Sequence, residues 1–159
     1  MNNQQVLLKL LEIISQRVQY HHDALWEEAK HYSWWVYSIF AGLISLYIYF
    51  RLSGFVILEP CPKAWLMWLC IIGSAFGAFI SMMGFNAVRL ESEYFNDARC
   101  VRKHILKKLK VERSIIREFD LIGGKAFGIR CGFKLTFLIT AVLFIVFGVF
   151  SVLTLLYGS

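Results

Sequence analysis

The sequence predicts an all-α integral membrane protein with three transmembrane helices, two of them continuous with amphipathic helices on the cytoplasmic side. Three observations lead there. The chain is 58% hydrophobic and 16% aromatic over 159 residues, above the usual apolar share of a soluble domain. The apolar residues fall in three long blocks, residues 33–50, 64–88 and 135–157, none of which holds Asp, Glu, Lys, Arg or His. A bilayer core of about 30 Å needs roughly 20 apolar residues in a helix, and each mid-helix charge costs about 2.5–3.5 kcal/mol on insertion scales. Thirdly, the basic residues are lopsided: of 17 Lys and Arg, twelve lie between Arg89 and Lys134.

Residues 1–32 begin with a polar, amphipathic stretch. Leu7, Leu11, Ile14, Val18, His21, Leu25 and Tyr32 fall close to a 3.5-residue repeat, the spacing of a helix that packs along another helix. The stretch lacks the short apolar run and small-residue cleavage site of a secretory leader, so no cleavable leader is expected. No Pro or Gly separates it from the first span, 33–50, and the two are expected to be one helix. Residues 51–63 form a short loop holding both prolines, Pro60 and Pro62, which makes the first two spans an antiparallel hairpin. The second span, 64–88, is expected to continue into a basic helical segment, 89–134. There Val88, Phe95, Ala98, Ile105 and Leu109 make an apolar stripe. A break is predicted near Asp120–Gly124, where Gly123-Gly124 is the strongest punctuation. The third span, 135–157, leaves a tail of two residues, 158–159.

Positive residues stay on the cytoplasmic side. The N-terminus and the 89–134 segment are therefore expected inside, with the 51–63 loop and the C-terminus outside. Aromatic placement agrees with this: Trp34, Trp35 and Tyr37 suit the inner interface, and Tyr47, Tyr49, Trp65 and Trp68 the outer one. Of the four cysteines, Cys70 falls in the membrane, and Cys100 and Cys131 on the reducing side. Cys61 alone faces out, so no disulfide framework forms within the chain.

Three groups of residues could carry function. Gly73, Gly77, Ser81 and Gly84 share one face of the second span, and Ser38, Gly42 and Ser45 repeat the pattern in the first. Small residues four apart let backbones approach closely, which drives helix association in lipid, either inside one hairpin or between copies in a homo-oligomer. The second group is a polar cluster before the first span: His21, His22, Asp23, Glu27, Glu28 and His31. Asp23, Glu27 and His31 lie on one helical face. Histidine is the side chain whose charge changes most easily near neutral pH, which makes the cluster a candidate control point for a soluble cytoplasmic partner. Glu28 and His31 form one Glu-x-x-His step, but a di-iron bundle needs two such steps and two further carboxylates. No metal site and no cofactor are expected. The third group is Arg99, Arg102, Lys103, Lys107, Lys108 and Lys110, placed to contact the phosphates of membrane lipids; nucleic acid is not an expected partner.

Several function classes are excluded. With no charge at depth there is no proton relay, ion-coupling site or voltage sensor. Phosphate-cradling Gly loops, a nucleophile elbow, a zincin motif and zinc-spaced Cys pairs are all missing, so enzyme activity is not expected. Arg99-x4-His104 and Arg17-x4-His22 match the Arg–His spacing of HEPN-type ribonucleases, on spacing alone.

The order of parts resembles one known group. A cytoplasmic amphipathic helix, a tight two-span hairpin with small residues, and a basic helix continuing from the second span are similar to the SLATT-type membrane effectors. The resemblance is architectural and covers Val6 to about Phe119; the third span is additional to it. It implies a small oligomeric effector, associated with bacterial nucleotide signalling and antiviral defence, that forms a pore or perturbs the membrane on a cytoplasmic signal. CRISPR-associated accessory membrane proteins share the general plan. A membrane-anchored adaptor that recruits a soluble partner is the alternative reading of the same layout.

Overall fold

The computed structural model describes the backbone of residues 3–52, 60–110 and 113–157, and the side chains of 3–49, 65–110 and 130–156. Three helices account for nearly all of it: α1 Asn3–Leu52, α2 Pro60–Lys108 and α3 Arg113–Tyr157. They contain 50, 49 and 45 residues. At 1.5 Å per residue each is about 70 Å long, more than twice what a bilayer core demands. No strand occurs among the described residues.

A heptad pattern explains why such long helices are stable side by side. Between Met67 and Val88 of α2 the buried positions are 67, 70, 74, 77, 81, 84 and 88, alternating steps of three and four. In α3 they include Arg130, Phe137, Phe144 and Ser151, each seven apart. In α1 the series runs through Val18, Leu25, Val36 and Leu43. A 3.5-residue repeat keeps one seam facing its partners along the whole helix. The stripe read from the N-terminal sequence belongs to this seam: Leu7, Leu11, Ile14, Val18, His21, Leu25 and Tyr32 are all buried or half-buried, as are Val88, Phe95, Ala98, Ile105 and Leu109.

The chain divides into two compact units, one made of Met1–Ala29 and Asn86–Lys134, the other of Lys30–Phe85 and Leu135–Ser159. The first unit is cored by Val18, Leu25, Ala29, Val88, Phe95, Ile105 and Leu106. The second is cored by Val36, Leu43, Met67, Cys70, Phe137, Ala141 and Phe144. Its buried hydroxyls are satisfied locally. Ser74 Oγ donates to the Cys70 carbonyl at 2.6 Å, Ser81 Oγ to Gly77 at 2.9 Å and Ser151 Oγ to Phe147 at 2.9 Å. Bonds of this kind to the preceding turn let Ser and Thr sit in an apolar helix at low cost.

Two predicted boundaries need correction. The predicted break at Asp120–Gly124 does not occur, because Gly123 and Gly124 lie inside α3. The chain turns instead after Lys108: the Leu109 N–H donates to the Ile105 carbonyl at 2.9 Å and the Lys110 N–H to Lys107 at 3.1 Å. Lys110 has φ 56°, the left-handed conformation that ends many helices and that glycine more often supplies. A helix ends where such a cap forms, whereas a glycine in its interior costs only about 1 kcal/mol. The apolar block 135–157 is thus continuous with a preceding helix, as the block 33–50 is in α1, whereas in α2 the helical extension follows the block 64–88.

The second correction concerns the 51–63 loop, which is shorter than expected. Arg51 and Leu52 belong to α1, and Pro60, Cys61, Pro62 and Lys63 to α2. Proline is tolerated in a first helical turn, where its missing N–H would have had no partner. The Cys61 thiol and the tail 158–159 lie outside the described residues.

Two helices are long and apolar enough to cross a membrane, over Trp65–Lys108 and Arg130–Leu156, with 18-residue windows of mean hydropathy 2.0 and 2.7. Only 28% and 17% of those windows is buried, whereas the core helix of a soluble protein is mostly covered. The apolar part of α1 falls short of the same measure among the described residues. Trp34, Trp35, Tyr37, Tyr47 and Tyr49 dilute it with ring N–H and O–H groups suited to the membrane interface.

Candidate functional site

The first unit holds the densest constellation of polar and aromatic side chains. On α1, Val18, His21, His22 and Leu25 follow the inward seam, which leaves both imidazoles half-buried. His21 Nδ1 and Glu91 Oε2 are 2.8 Å apart, with the two side chains 21% and 23% exposed. A carboxylate can only accept, so the imidazole donates from Nδ1 when Glu91 is ionised. Tyr94 stacks on His21 at 5.6 Å with an interplanar angle of 25°, and Tyr20 meets it edge-on at 5.3 Å. Rings on two sides and a fixed carboxylate hold this imidazole in one orientation.

Next to it lies a second layer. His22 contacts Trp26 and Phe95 at ring distances of 6.5 and 6.3 Å, and Trp26 meets Phe133 edge-on at 5.3 Å. Arg130 of α3 is 3% exposed, with its guanidinium carbon 3.7 Å from the centre of the Phe95 ring. A cation over an aromatic face gains about 2 kcal/mol or more when desolvated. Arg130 Nη1 donates to Asn96 Oδ1 at 3.2 Å. Buried Nη2 has no acceptor among the described residues. Burial first, and the positive charge of Arg99 second, push the Arg130 pKa below its ordinary value.

The predicted control cluster does not form one site. His21 and His22 point into the bundle. Asp23 is exposed and accepts from Gln19 Nε2, 3.1 Å from each carboxylate oxygen. Glu27 is exposed and Glu28 half-buried. His31 is exposed, belongs to the other unit, and lies against Tyr32 and Trp35 at 5.6 and 6.4 Å. Asp23, Glu27 and His31 do share a face, as their spacing requires, but it is the outer one. No three His, Cys, Asp or Glu converge among the described residues. Of the basic set, Arg99 and Arg102 are half-buried, while Lys103, Lys107, Lys108 and Lys110 are exposed. In the two Arg–His spacings, Arg17 and His104 are exposed and His22 faces Trp26 and Phe95.

Sequence reasoning missed Glu91, Tyr94 and Arg130. Glu91 and Arg130 carried a readable signal. Glu91 sits between Val88 and Phe95 on the α2 seam, and Arg130 is the first member of the seven-residue series through Phe137 and Phe144. A charge on an apolar seam is the mark that was available.

In the second unit the small residues of α2 face side chains of their own chain. A Cβ built on Gly73 would stand 2.8 Å from Leu43 Cδ2, one on Gly77 2.5 Å from Phe144 Cε1, and one on Gly84 2.8 Å from Phe137 Cε1. Leu43 and the two phenylalanines are thus knobs seated in glycine holes. Ser81 lies between them and receives Thr140 Oγ1 at 3.4 Å. The α1 set behaves differently. Ser38, Gly42 and Ser45 are exposed, and a Cβ on Gly42 would meet nothing within 4 Å.

Comparison with protein-family models, curated proteins and solved structures finds no match.

Proposed function

We propose that this protein is a small oligomeric membrane effector of the inner membrane. In this reading all three helices cross the bilayer, the N-terminus and the 89–134 region are cytoplasmic, and the C-terminus is outside. A soluble partner biases the packing of the cytoplasmic helices, and the embedded part then opens a pore or perturbs the lipid, in the manner implied by the likeness to SLATT-type effectors in antiviral defence. The observation that carries it is the apolar exterior of the second unit. Trp65, Ile72, Phe79, Ile145, Val146 and Phe150 are each at least half exposed, a surface that suits lipid or further copies and not water.

The open small-residue face of α1 supports assembly between copies, since among the described residues Ser38 and Ser45 are exposed and a Cβ on Gly42 would meet nothing within 4 Å. Vesicles reconstituted with the protein should release a trapped dye, and crosslinking should trap a discrete oligomer. Gly42→Leu should leave the Tm of the bundle within about 2 °C, because the site is open, yet abolish both the oligomer and the leakage by holding two backbones apart. Leakage by a protein that remains monomeric would sink the assembly step.

One observation favours an adaptor instead: the longer small-residue face, on α2, is filled by Leu43, Phe137 and Phe144 of the same chain. An adaptor would capture its partner without causing leakage.

Orientation has its own test. The thiols of Cys100 and Cys131 are free and exposed. In intact cells an impermeant maleimide should label Cys61 and spare both of them, and permeabilised cells should label all three. Labelling of Cys100 from outside would reverse the topology.

A further inference from the structure

Within the second unit, α2 and α3 enclose an apolar groove of about 350 Å³. Its floor is made of small residues, Ser74, Ala75 and Ala78 of α2 and Gly148 of α3. The helices approach closely there, since a Cβ on Gly148 would stand 3.2 Å from Ser74 Cβ. Larger side chains, Ile71, Ile145, Val149 and Leu153 among them, supply the rest of the lining. Ser74 is the one polar residue in it, and its hydroxyl is already donated to the Cys70 carbonyl at 2.6 Å. The groove therefore presents hydrocarbon. Ala75 and Val149 are exposed, so it opens on the outside of the unit.

Dimensions select the occupant. At 1.5 Å per residue, the lining stretches 71–78 and 144–153 make the groove about 10–13 Å long. A volume of about 350 Å³ over that length leaves a mean cross-section of about 30 Å². A helix with its side chains is about 10–12 Å across, roughly 80–110 Å², and is too thick. A polymethylene chain, about 4–5 Å wide from the contact distance of carbon pairs, covers roughly 15–20 Å² and fits. The length agrees as well, because half of a bilayer core is about 15 Å. Both walls also belong to the two helices that are long and apolar enough to cross a membrane.

We propose that this groove holds one acyl chain of a membrane phospholipid, within a single leaflet. The assignment rests on the membrane reading above and is independent of pore formation. In lipid, apolar burial by itself drives nothing. A chain is retained there because fixed walls give it dispersion contacts that fluid neighbours do not.

The test uses the full-length protein in phosphatidylcholine nanodiscs that contain a phosphatidylcholine with a mid-chain diazirine. After illumination, adducts should concentrate on residues 71–78 and 144–153, at about fivefold or more the yield on exposed Phe79 and Val142, because a held chain stays in contact with its walls. Ala75→Phe fills the groove from an exposed position. It should keep the Tm within about 2 °C and remove the excess, with adducts at Val142 unchanged. Val149→Phe fills the same space from α3 and decides the matter if Ala75→Phe does not fold. Even labelling of all exposed apolar positions, or an excess that survives the filling, overturns the site and leaves the membrane reading intact. Disulfide crosslinking between copies of Ala75→Cys, with no adducts in the groove, would assign it to a second copy and overturn the site equally. Adducts on neither helix overturn the membrane reading and the site together.

Discussion

Gly77→Leu is expected to be the most damaging single substitution in the second unit. A Cβ at position 77 would lie 2.5, 2.6 and 2.7 Å from three carbons of the Phe144 ring, well inside the 3.5–4.0 Å optimum for carbon pairs. Phe144 cannot swing aside, since it is fully buried and packs edge-on against Phe40 at 5.6 Å. Extra methylenes in a packed core cost about 1–3 kcal/mol, and leucine adds four carbons. A loss of at least about 3 kcal/mol corresponds to a Tm drop of roughly 6–12 °C for a chain of this size. Phe144→Ala alone should also destabilise, by leaving a cavity. The pair Gly77→Leu/Phe144→Ala should then cost less than the sum of its parts by about 1 kcal/mol or more, because one change supplies the space the other needs. Thermal melts of the four proteins in nanodiscs measure this cycle. Strict additivity would mean that Phe144 does not sit on Gly77.

On the effector reading proposed above, removing the His21–Glu91 pair is expected to abolish activity in cells. The contact joins α1 to α2 in the first unit, which that reading places in the cytoplasm, and both side chains are mostly covered. A switch needs two packings of similar energy, with a partner that prefers one. An inter-helix contact of modest strength, flanked by Tyr20 and Tyr94, can tip such a balance. His21→Ala/Glu91→Ala should bring trigger-dependent depolarisation to the level of empty vector while expression and oligomer size stay unchanged. His31→Ala, on the outer face and in the other unit, should leave activity within about twofold. The reverse pattern, loss with His31→Ala and retention in the double variant, would move the control point to the surface.

Much of the architecture was legible from one-dimensional pattern. The 3.5-residue spacing from Leu7 to Tyr32, the stripe from Val88 to Leu109 and the uncharged blocks are local consequences of helix period and polarity. They are readable because a side chain's position on a helix depends only on its place in the chain. The helix break was not legible. Gly123-Gly124 looked like punctuation, but a glycine's small penalty does not end a helix, and the turn arose where Lys110 adopts a left-handed backbone.

By itself, then, the sequence determined an all-α membrane chain and the seams of its helices; it predicted three spans, and two helices prove long and apolar enough among the described residues. Only the tertiary structure decided which residues meet. It assigned Phe137 and Phe144 to the glycine holes of α2 and left the α1 face around Gly42 open. It paired His21 with Glu91 across 70 residues and placed the Arg130 guanidinium over the Phe95 ring. The physical reason is that spacing specifies a helix face, while the partner of that face depends on the register between helices. That register is set by which knobs and holes fit.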